Sequence, residues 1–487
     1  MSTQTLDSRT APGRERTAGR SALMALITRL HFYIGLFVGP FILVAAITGT
    51  LFVLTPQIEN LLYADQLRTA STGPAQSLAS QVQAAQARIG PGPRLFAVRP
   101  APGPGDTTRV MFTQPGLGDS ESRALFVDPA TLEIKGDLIV YGTSGTLPFR
   151  TALDYLHRNL MLGEVGRNYS ELAASWMWLA TLGGLAMWWA GRRRHAAGAA
   201  RSARLRTRRW HVLLGLWLAV GLLFLSATGL TWSNWAGGRV DQLRAQLGWI
   251  TPSISSKLPA AGALPGQGAG EGEHAHHHGS MAGMAGMAGM AGMAGMAMAP
   301  SSAAVGDIDR IRQTARAGGI DSDALEIRPP RAADQAWTVR EVDRSWPTQV
   351  DTIAIDPATY AITSRADFAT FPLIAKLIRW GVDMHMGILF GWPNQLLMAA
   401  IGLALTTMIV LGYRMWWLRR PVSGASGQTL TQAWRELSWP GRLGVAVVAL
   451  ALGWCLPVMG ASLLAFLVVD ALRSWRAQPP KALTRRA

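Results

Sequence analysis

Arg29-Leu30-His31-Phe32-Tyr33-Ile34-Gly35-Leu36 and Arg209-Trp210-His211-Val212-Leu213-Leu214-Gly215-Leu216 each open a long apolar run with a histidine in the same register. Each histidine is followed, at one and the same spacing, by a Thr-Gly: Thr48-Gly49 after the first and Thr228-Gly229 after the second. A second pair, His157 and His385, is matched in the same way. Each has a glycine six residues on (Gly163, Gly391) and, again at equal spacing, a Trp-Trp pair that begins at Trp188 or Trp416. Two registers shared by two halves of one chain mark an internal duplication. An imidazole in or beside a bilayer is costly unless it has a partner or a role. Four of them, paired by a repeat, point to two sites that each use two nitrogens.

The surroundings of these histidines decide the class of protein. The chain has 487 residues, 49% of them hydrophobic and only 16% charged, against about 25% charged in an ordinary soluble globule. The apolar residues collect in runs free of Asp, Glu, Lys and Arg, at residues 30–54, 172–190, 212–232, 396–413 and 443–469. About 18 such residues suffice to cross the hydrocarbon core as a helix. The chain therefore reads as a polytopic membrane protein in a lipid bilayer. Its net charge of +16 does not signal nucleic acid. The arginines cluster at positions 14, 16, 20 and 29, at 192–194 and 201–209, and at 419–420. These clusters flank alternate ends of the runs, as the positive-inside rule requires, and they suit anionic headgroups.

That rule sets the N-terminus in the cytoplasm and predicts the following order. A tail, residues 1–27, precedes a span at 28–54, an external domain at 55–153 and a span with an external extension at 154–191. An arginine-rich cytoplasmic loop (192–209) leads to a span at 210–235, a second external domain at 236–380 and an extended span at 381–418. A cytoplasmic loop (419–441), a hydrophobic hairpin or fifth span (442–472) and a tail (473–487) complete it. In the last apolar segment, Pro457 and Gly460 near the middle and basic residues on both flanks favour a hairpin. The repeat extends into the external domains. Phe126-Val127-Asp128-Pro129-Ala130-Thr131 matches Ala354-Ile355-Asp356-Pro357-Ala358-Thr359, and Asp128 precedes His157 by the same interval as Asp356 precedes His385. Apolar runs on both sides of an Asp-Pro turn read as β-hairpins, with helices expected at 81–89 and 308–317. The expected fold is thus an α-helical membrane bundle of four core transmembrane helices in two parallel repeats, plus the C-terminal hairpin or helix, carrying two small α+β external domains. Parallel repeats are related by an approximate two-fold axis along the membrane normal. This sets His31 opposite His211 near the cytoplasmic face, and His157 opposite His385 near the external face.

Two imidazoles on opposite sides of one plane are what a six-coordinate haem needs, and a two-fold bundle supplies one from each repeat. The expected cofactors are two haem b groups, each with two axial histidines. Haem attached covalently is excluded, because the only cysteine is Cys455 and no Cys-x-x-Cys-His occurs. Iron–sulfur clusters lack their thiolates. Gly35 and Gly215, one helical turn beyond the inner histidines, would let a flat macrocycle approach the backbone. Gly163, Gly166 and Pro393 could break the outer helices and so set the depth of the outer histidines.

The residues from Arg29-Leu30-His31 to Thr48-Gly49, the motif Leu156-His157-Arg158-Asn159-Leu160-Met161-Leu162-Gly163-Glu164-Val165-Gly166-Arg167, and the two Asp-Pro-Ala-Thr turns resemble the PepSY-associated transmembrane proteins. That family includes inner-membrane ferric-siderophore reductases, and the resemblance runs from about residue 25 to 420. It implies PepSY-like external domains, a two-haem bundle in a bacterial inner membrane, and reduction of a ferric chelate during iron uptake. Asp383-Met384-His385-Met386-Gly387 departs furthest from the family pattern.

The step from His31 to His211 is shorter than the step from His157 to His385, so the second repeat carries a net insertion between its two spans. The insertion is best placed at residues 271–300, where His274, His276, His277 and His278 precede a Met-Ala-Gly repeat with Met281, Met284 and Met287. Imidazole and thioether suit copper, thioether Cu(I) in particular; slippage expansion of a flexible repeat explains the same composition. The reading that follows is an electron conduit from an unidentified internal donor to a ferric chelate or other external metal substrate. The rivals are a non-enzymatic membrane regulator or scaffold, and a copper-handling membrane protein that uses the His/Met tract.

Overall fold

The structure, a computed structural model, describes residues 12–142, 144–192, 202–258, 305–418 and 429–476. The chain forms two compact units. One comprises Met1–Thr50, Leu156–Val240 and Ala400–Ala487; the other comprises Leu51–Tyr155 and Asp241–Ala399.

The first unit is helical. Four helices are long and apolar enough to cross a membrane, Ala22–Val53, Ala203–Thr231, Gly391–Trp417 and Pro457–Trp475. The Gly163–Gly191 helix has the length but not the apolarity, because tryptophans, glycines and charged residues at its start dilute its leucines. Its position explains why it does without them. Among the described residues it packs along Ala203–Thr231 more extensively than any other helix pair. Its Ser175 and Trp176 are fully buried. Trp176 donates its indole N–H to Ser462 at 2.8 Å, and Ser226 donates to the carbonyl of Ala174 at 2.6 Å. Where neighbours cover a helix it has no lipid to satisfy, and here that holds for the middle of the helix, while Leu182 and Trp189 stay exposed. Ile34, Val38, Ile42, Trp176, Leu222, Leu405 and Phe466 form the unit's core.

Both extended spans are broken where positive φ angles interrupt them. Helix Pro148–Asn159 ends in Leu160 and Met161 with φ of 54° and 59°, and Gly163–Gly191 restarts at φ 60°. Helix Leu373–His385 ends before Gly387 at φ 74°, and Gly391–Trp417 restarts at φ 60°. The glycine six residues after each outer histidine is therefore the first residue of the following helix in the left-handed region, where a side chain costs about 1–2 kcal/mol. Gly166 is needed for a different reason, since a Cβ there would overlap the carbonyl of Asn159.

The C-terminal apolar segment is two helices, Trp439–Cys455 and Pro457–Arg476, packed on each other and separated by Leu456. Gly453 and Gly460 meet backbone to backbone at the bend. The fully buried Asp470 ties the second of these helices down. It accepts from Tyr33 Oη at 2.6 Å, from the backbone N–H of Leu430 at 2.9 Å and Thr431 at 2.8 Å, and from the Thr431 hydroxyl at 2.7 Å.

The second unit is built on one antiparallel sheet. Its strands are β1 (Arg94–Arg99), β2 (Thr108–Thr113), β3 (Glu121–Val127), β4 (Ile134–Tyr141), β5 (Leu325–Arg328), β6 (Trp337–Glu341), β7 (Thr352–Ile355) and β8 (Ile362–Ala366). They lie side by side in the order β4-β3-β2-β1-β5-β6-β7-β8. The two external domains expected from the sequence are therefore fused into one. Each repeat supplies a four-stranded meander whose inner edge would expose unpaired backbone groups. Joining β1 to β5 through Val98 and Ile327 removes both edges. The palindromic order is what an approximate two-fold axis between β1 and β5 produces. One core serves both halves: helices Leu78–Ile89 and Ile308–Ala317 cover the same face, with Val98, Phe112, Ile327 and Trp337 beneath them. Asp309 of one repeat accepts from Leu78 N–H at 2.8 Å and Ala79 N–H at 3.0 Å, capping the other repeat's helix.

The Asp-Pro turns are hairpins, as read. Asp128 accepts from the N–H groups of Ala130 and Thr131 and from the Thr69 and Ser71 hydroxyls. Asp356 accepts from Ala358 N–H and the Thr359 hydroxyl. Leu132 and Tyr360, at equivalent places in the two turns, share φ angles of 64° and 59°. Beside the β1–β5 seam, the buried Glu326 is held by Arg99 at 2.6 Å, Arg328 at 2.7 Å and Arg340 at 2.9 Å.

Candidate functional site

His31 lies three residues before a five-residue π-helix, Ile34–Val38, the local irregularity that helices often carry at functional positions. His211 lies in the Ala203–Thr231 helix. The structure brings them together, with ring centroids 6.5 Å apart and ring planes at 87°. Each ring is fixed from behind. His31 Nδ1 is 2.9 Å from the carbonyl of Ala180, and His211 Nδ1 is 2.9 Å from the carbonyl of Met408. A carbonyl only accepts, so both Nδ1 atoms carry the proton and both Nε2 atoms carry the lone pair. That is the arrangement of metal-ligating histidines, in which the second nitrogen donates to a backbone or carboxylate oxygen.

The glycines that lie directly against the imidazole rings are a different pair from Gly35 and Gly215, which are expected to clear space for a macrocycle and not for the rings. A Cβ on Gly35 would meet nothing within 4 Å, and one on Gly215 would meet only Met408 Sδ. They are Gly184, in the Gly163–Gly191 helix, and Gly412, in the Gly391–Trp417 helix, where a Cβ would stand 3.4 Å and 3.6 Å from Cε1 of His31 and His211. The signal for them was present in the chain. Ala180 and Met408, and likewise Gly184 and Gly412, are separated by the same interval as His157 and His385.

His157 sits in the last turn of the Pro148–Asn159 helix. Its Nδ1 is 3.0 Å from Thr48 Oγ1, which donates its own proton to the carbonyl of Val44 at 2.7 Å. The hydroxyl therefore accepts from Nδ1–H, and the same tautomer results. A Cβ on Gly49 would press to 3.1 Å from His157 Cε1. The Thr-Gly that follows His31 in sequence thus serves His157, turning the ring and clearing its edge. His385 closes the Leu373–His385 helix and belongs to the sheet-bearing unit, so the outer histidines fall in different units. Two residues earlier, the fully buried Asp383 accepts from Arg344 Nε at 2.6 Å and pairs with Arg379 at 3.3 Å.

His274, His276, His277, His278, Met281, Met284 and Met287 lie outside the described residues. Among those described, no group of three or more His, Cys, Asp or Glu converges as a metal site.

The family model described as the PepSY-associated TM region matches residues 28–419. The chain belongs to the PepSY-associated transmembrane family. The match takes in all four repeat-paired histidines and ends before the Leu430–Arg435 helix and the C-terminal pair. No curated protein matches the chain. Family membership and four candidate spans establish a multi-pass membrane protein with a helical membrane region.

Proposed function

We propose that this PepSY-associated protein is an inner-membrane electron conduit holding two b-type haems, one between His31 and His211 and a second that takes His157 and His385 as its expected ligands, and reducing a ferric chelate on the external side. The observation that carries the reading is the inner pair. Metal–imidazole bonds are about 2 Å long, so two imidazoles sharing one ion have ring centres roughly 6 Å apart; the observed separation is 6.5 Å. The donor count fits as well. Two nitrogens converge with no third His, Cys, Asp or Glu among the described residues, which suits an iron whose other four ligands come from a macrocycle.

When bound, haem supplies a reversible one-electron couple. The protein's part is placement. The carbonyls of Ala180 and Met408 hold both inner imidazoles in the tautomer that offers Nε2, and Thr48 does the same for His157. Gly184 and Gly412 leave the ring edges uncrowded. One electron from the donor converts Fe(III) of the chelate to Fe(II), which hard oxygen ligands hold less firmly.

The test is anaerobic. Purified protein is reduced with a limiting amount of dithionite and mixed with ferric chelate in the presence of an Fe(II) indicator. The reading predicts that the reduced haem bands decay as the indicator colour rises, one iron per electron. A colourless protein, or reduced bands that persist in excess chelate, supports the regulator or scaffold reading instead.

A further inference from the structure

The sheet-bearing unit contains two cavities that play no part in holding haem. One, of about 200 Å³, is lined by Glu59, Arg109 and Arg150 among others. The second, of about 260 Å³, is lined by Arg150, Arg340, Arg344 and Arg379 among others. Ser144 and Arg150 line both, so the two adjoin. Together the walls carry five arginines against three carboxylates, Glu59, Glu341 and Asp343.

Three of the five arginines are anchored by acids: Arg340 by Glu326 at 2.9 Å, and Arg344 and Arg379 by Asp383. The other two are not. Among the described residues, neither Arg109 nor Arg150 forms an ion pair with a carboxylate. Arg109 donates to the carbonyl of Gly145 at 3.2 Å and lies over the Phe126 ring. Arg150 lies over Phe52 at 4.8 Å, and its buried Nε–H meets no acceptor. Nearby carboxylates act on them through space and not by direct pairing, Glu59 on both, Asp106 on Arg109 and Asp154 on Arg150; Glu59 Oε1 also accepts from the backbone N–H of Arg150 at 3.1 Å. Burial, then the Arg99 charge, hold Arg109 down at about 10. A desolvated guanidinium that no carboxylate contacts directly keeps its donors open to a carboxylate or phosphate, which it can bind through two parallel hydrogen bonds.

We propose that this double cavity seats a ferric chelate bearing two or more carboxylate groups, with Arg109 and Arg150 taking the carboxylates. The proposal rests on the reductase reading and names its substrate class. It also places the substrate near an electron source. Arg379 precedes His385 by six residues on the Leu373–His385 helix, about 9 Å of helical rise.

The test is calorimetric titration of the full chain in non-ionic detergent with gallium(III) citrate, a redox-inert stand-in for the ferric complex. Wild type is expected to show saturable binding, weakened at least tenfold in Arg150→Gln and in Arg109→Gln and partly restored in Arg150→Lys. A cationic gallium trihydroxamate should not compete. Equal binding by the glutamine variants, with unchanged circular dichroism, would overturn the proposal. So would displacement of citrate by phosphatidylglycerol whose own binding depends on Arg150, since the cavity would then be a headgroup seat. No haem is read in this titration. Arginine-dependent binding by a haem-free chain would refute the reductase reading alone; two haems without such binding would refute the seat alone.

Discussion

An imidazole that is to hold a metal must aim one nitrogen and occupy the other. His31, His211 and His157 each meet that condition through a hydrogen bond to Nδ1. His31→Ala and His211→Ala are each expected to remove the same half of the haem, seen as identical losses in the reduced-minus-oxidised spectrum. Gly184→Val, which crowds the His31 ring edge, should lower haem content at that site several-fold while leaving expression unchanged. The pairing of these histidines is legible in the chain because register exposes the duplication. Gly184 and Gly412 are hidden, since a glycine inside an apolar run has many uses and only the repeat offset links these two. A second residue-scale prediction concerns Glu326. Burial alone would raise its pKa, but Arg340, Arg99 and Arg328 together pull it well below the usual carboxylate range. Glu326→Gln leaves three half-buried arginines short of an anion and should destabilise by about 2–4 kcal/mol at neutral pH, part of the loss being screened by solvent. The folded pKa lies below the unfolded value of about 4.3, so the difference should persist above about pH 4.3 and shrink as pH falls beneath it. Thermal unfolding across that range is the measurement.

Helices here are punctuated as much as they are propagated. The paired glycines at 163 and 391 begin their helices at the same φ of 60°, so the repeat preserves a backbone device as well as a ligand. Gly163→Ala and Gly391→Ala should each lower stability by about 1–2 kcal/mol; Gly166→Ala, which overlaps a carbonyl, should cost more than either. Spacing from the histidines is enough to find the first two glycines. The two-helix C-terminal segment is half-legible, because Pro457 announces a break but nothing local reveals Asp470 as its clamp. That carboxylate joins the Leu430–Arg435 helix, the Pro457–Arg476 helix and Tyr33, two residues beyond His31. Asp470→Ala should destabilise the helical unit by about 1–3 kcal/mol and weaken retention of the inner haem. The readouts are melting in detergent and haem loss on dilution.

At the scale of the whole chain, duplication governs both units. In the helical unit it supplies the facing histidines His31 and His211. In the other it supplies two meanders that close each other's edges. Each meander reads from sequence as a complete domain, since its alternating strands and Asp-Pro turn are self-sufficient. The β1–β5 join escapes notice because it is made by backbone groups, which leave no pattern in side chains. The shared core offers a hint only afterwards: Ile308 and Ile311 of one repeat pack with Leu78 and Val82 of the other. The His/Met tract breaks the duplication, and the electron-conduit reading gives it no part in holding haem. Deleting residues 271–300 should therefore leave the haem spectrum and chelate reduction intact, whereas a copper-handling protein would lose its function. The most direct test of the central claim is the number of haems per polypeptide, measured by pyridine haemochrome on the purified protein and on His211→Ala. The account predicts two b-type haems falling to one, with a bis-imidazole α-band retained. A wild-type chain without haem, or a variant that keeps both, would contradict it.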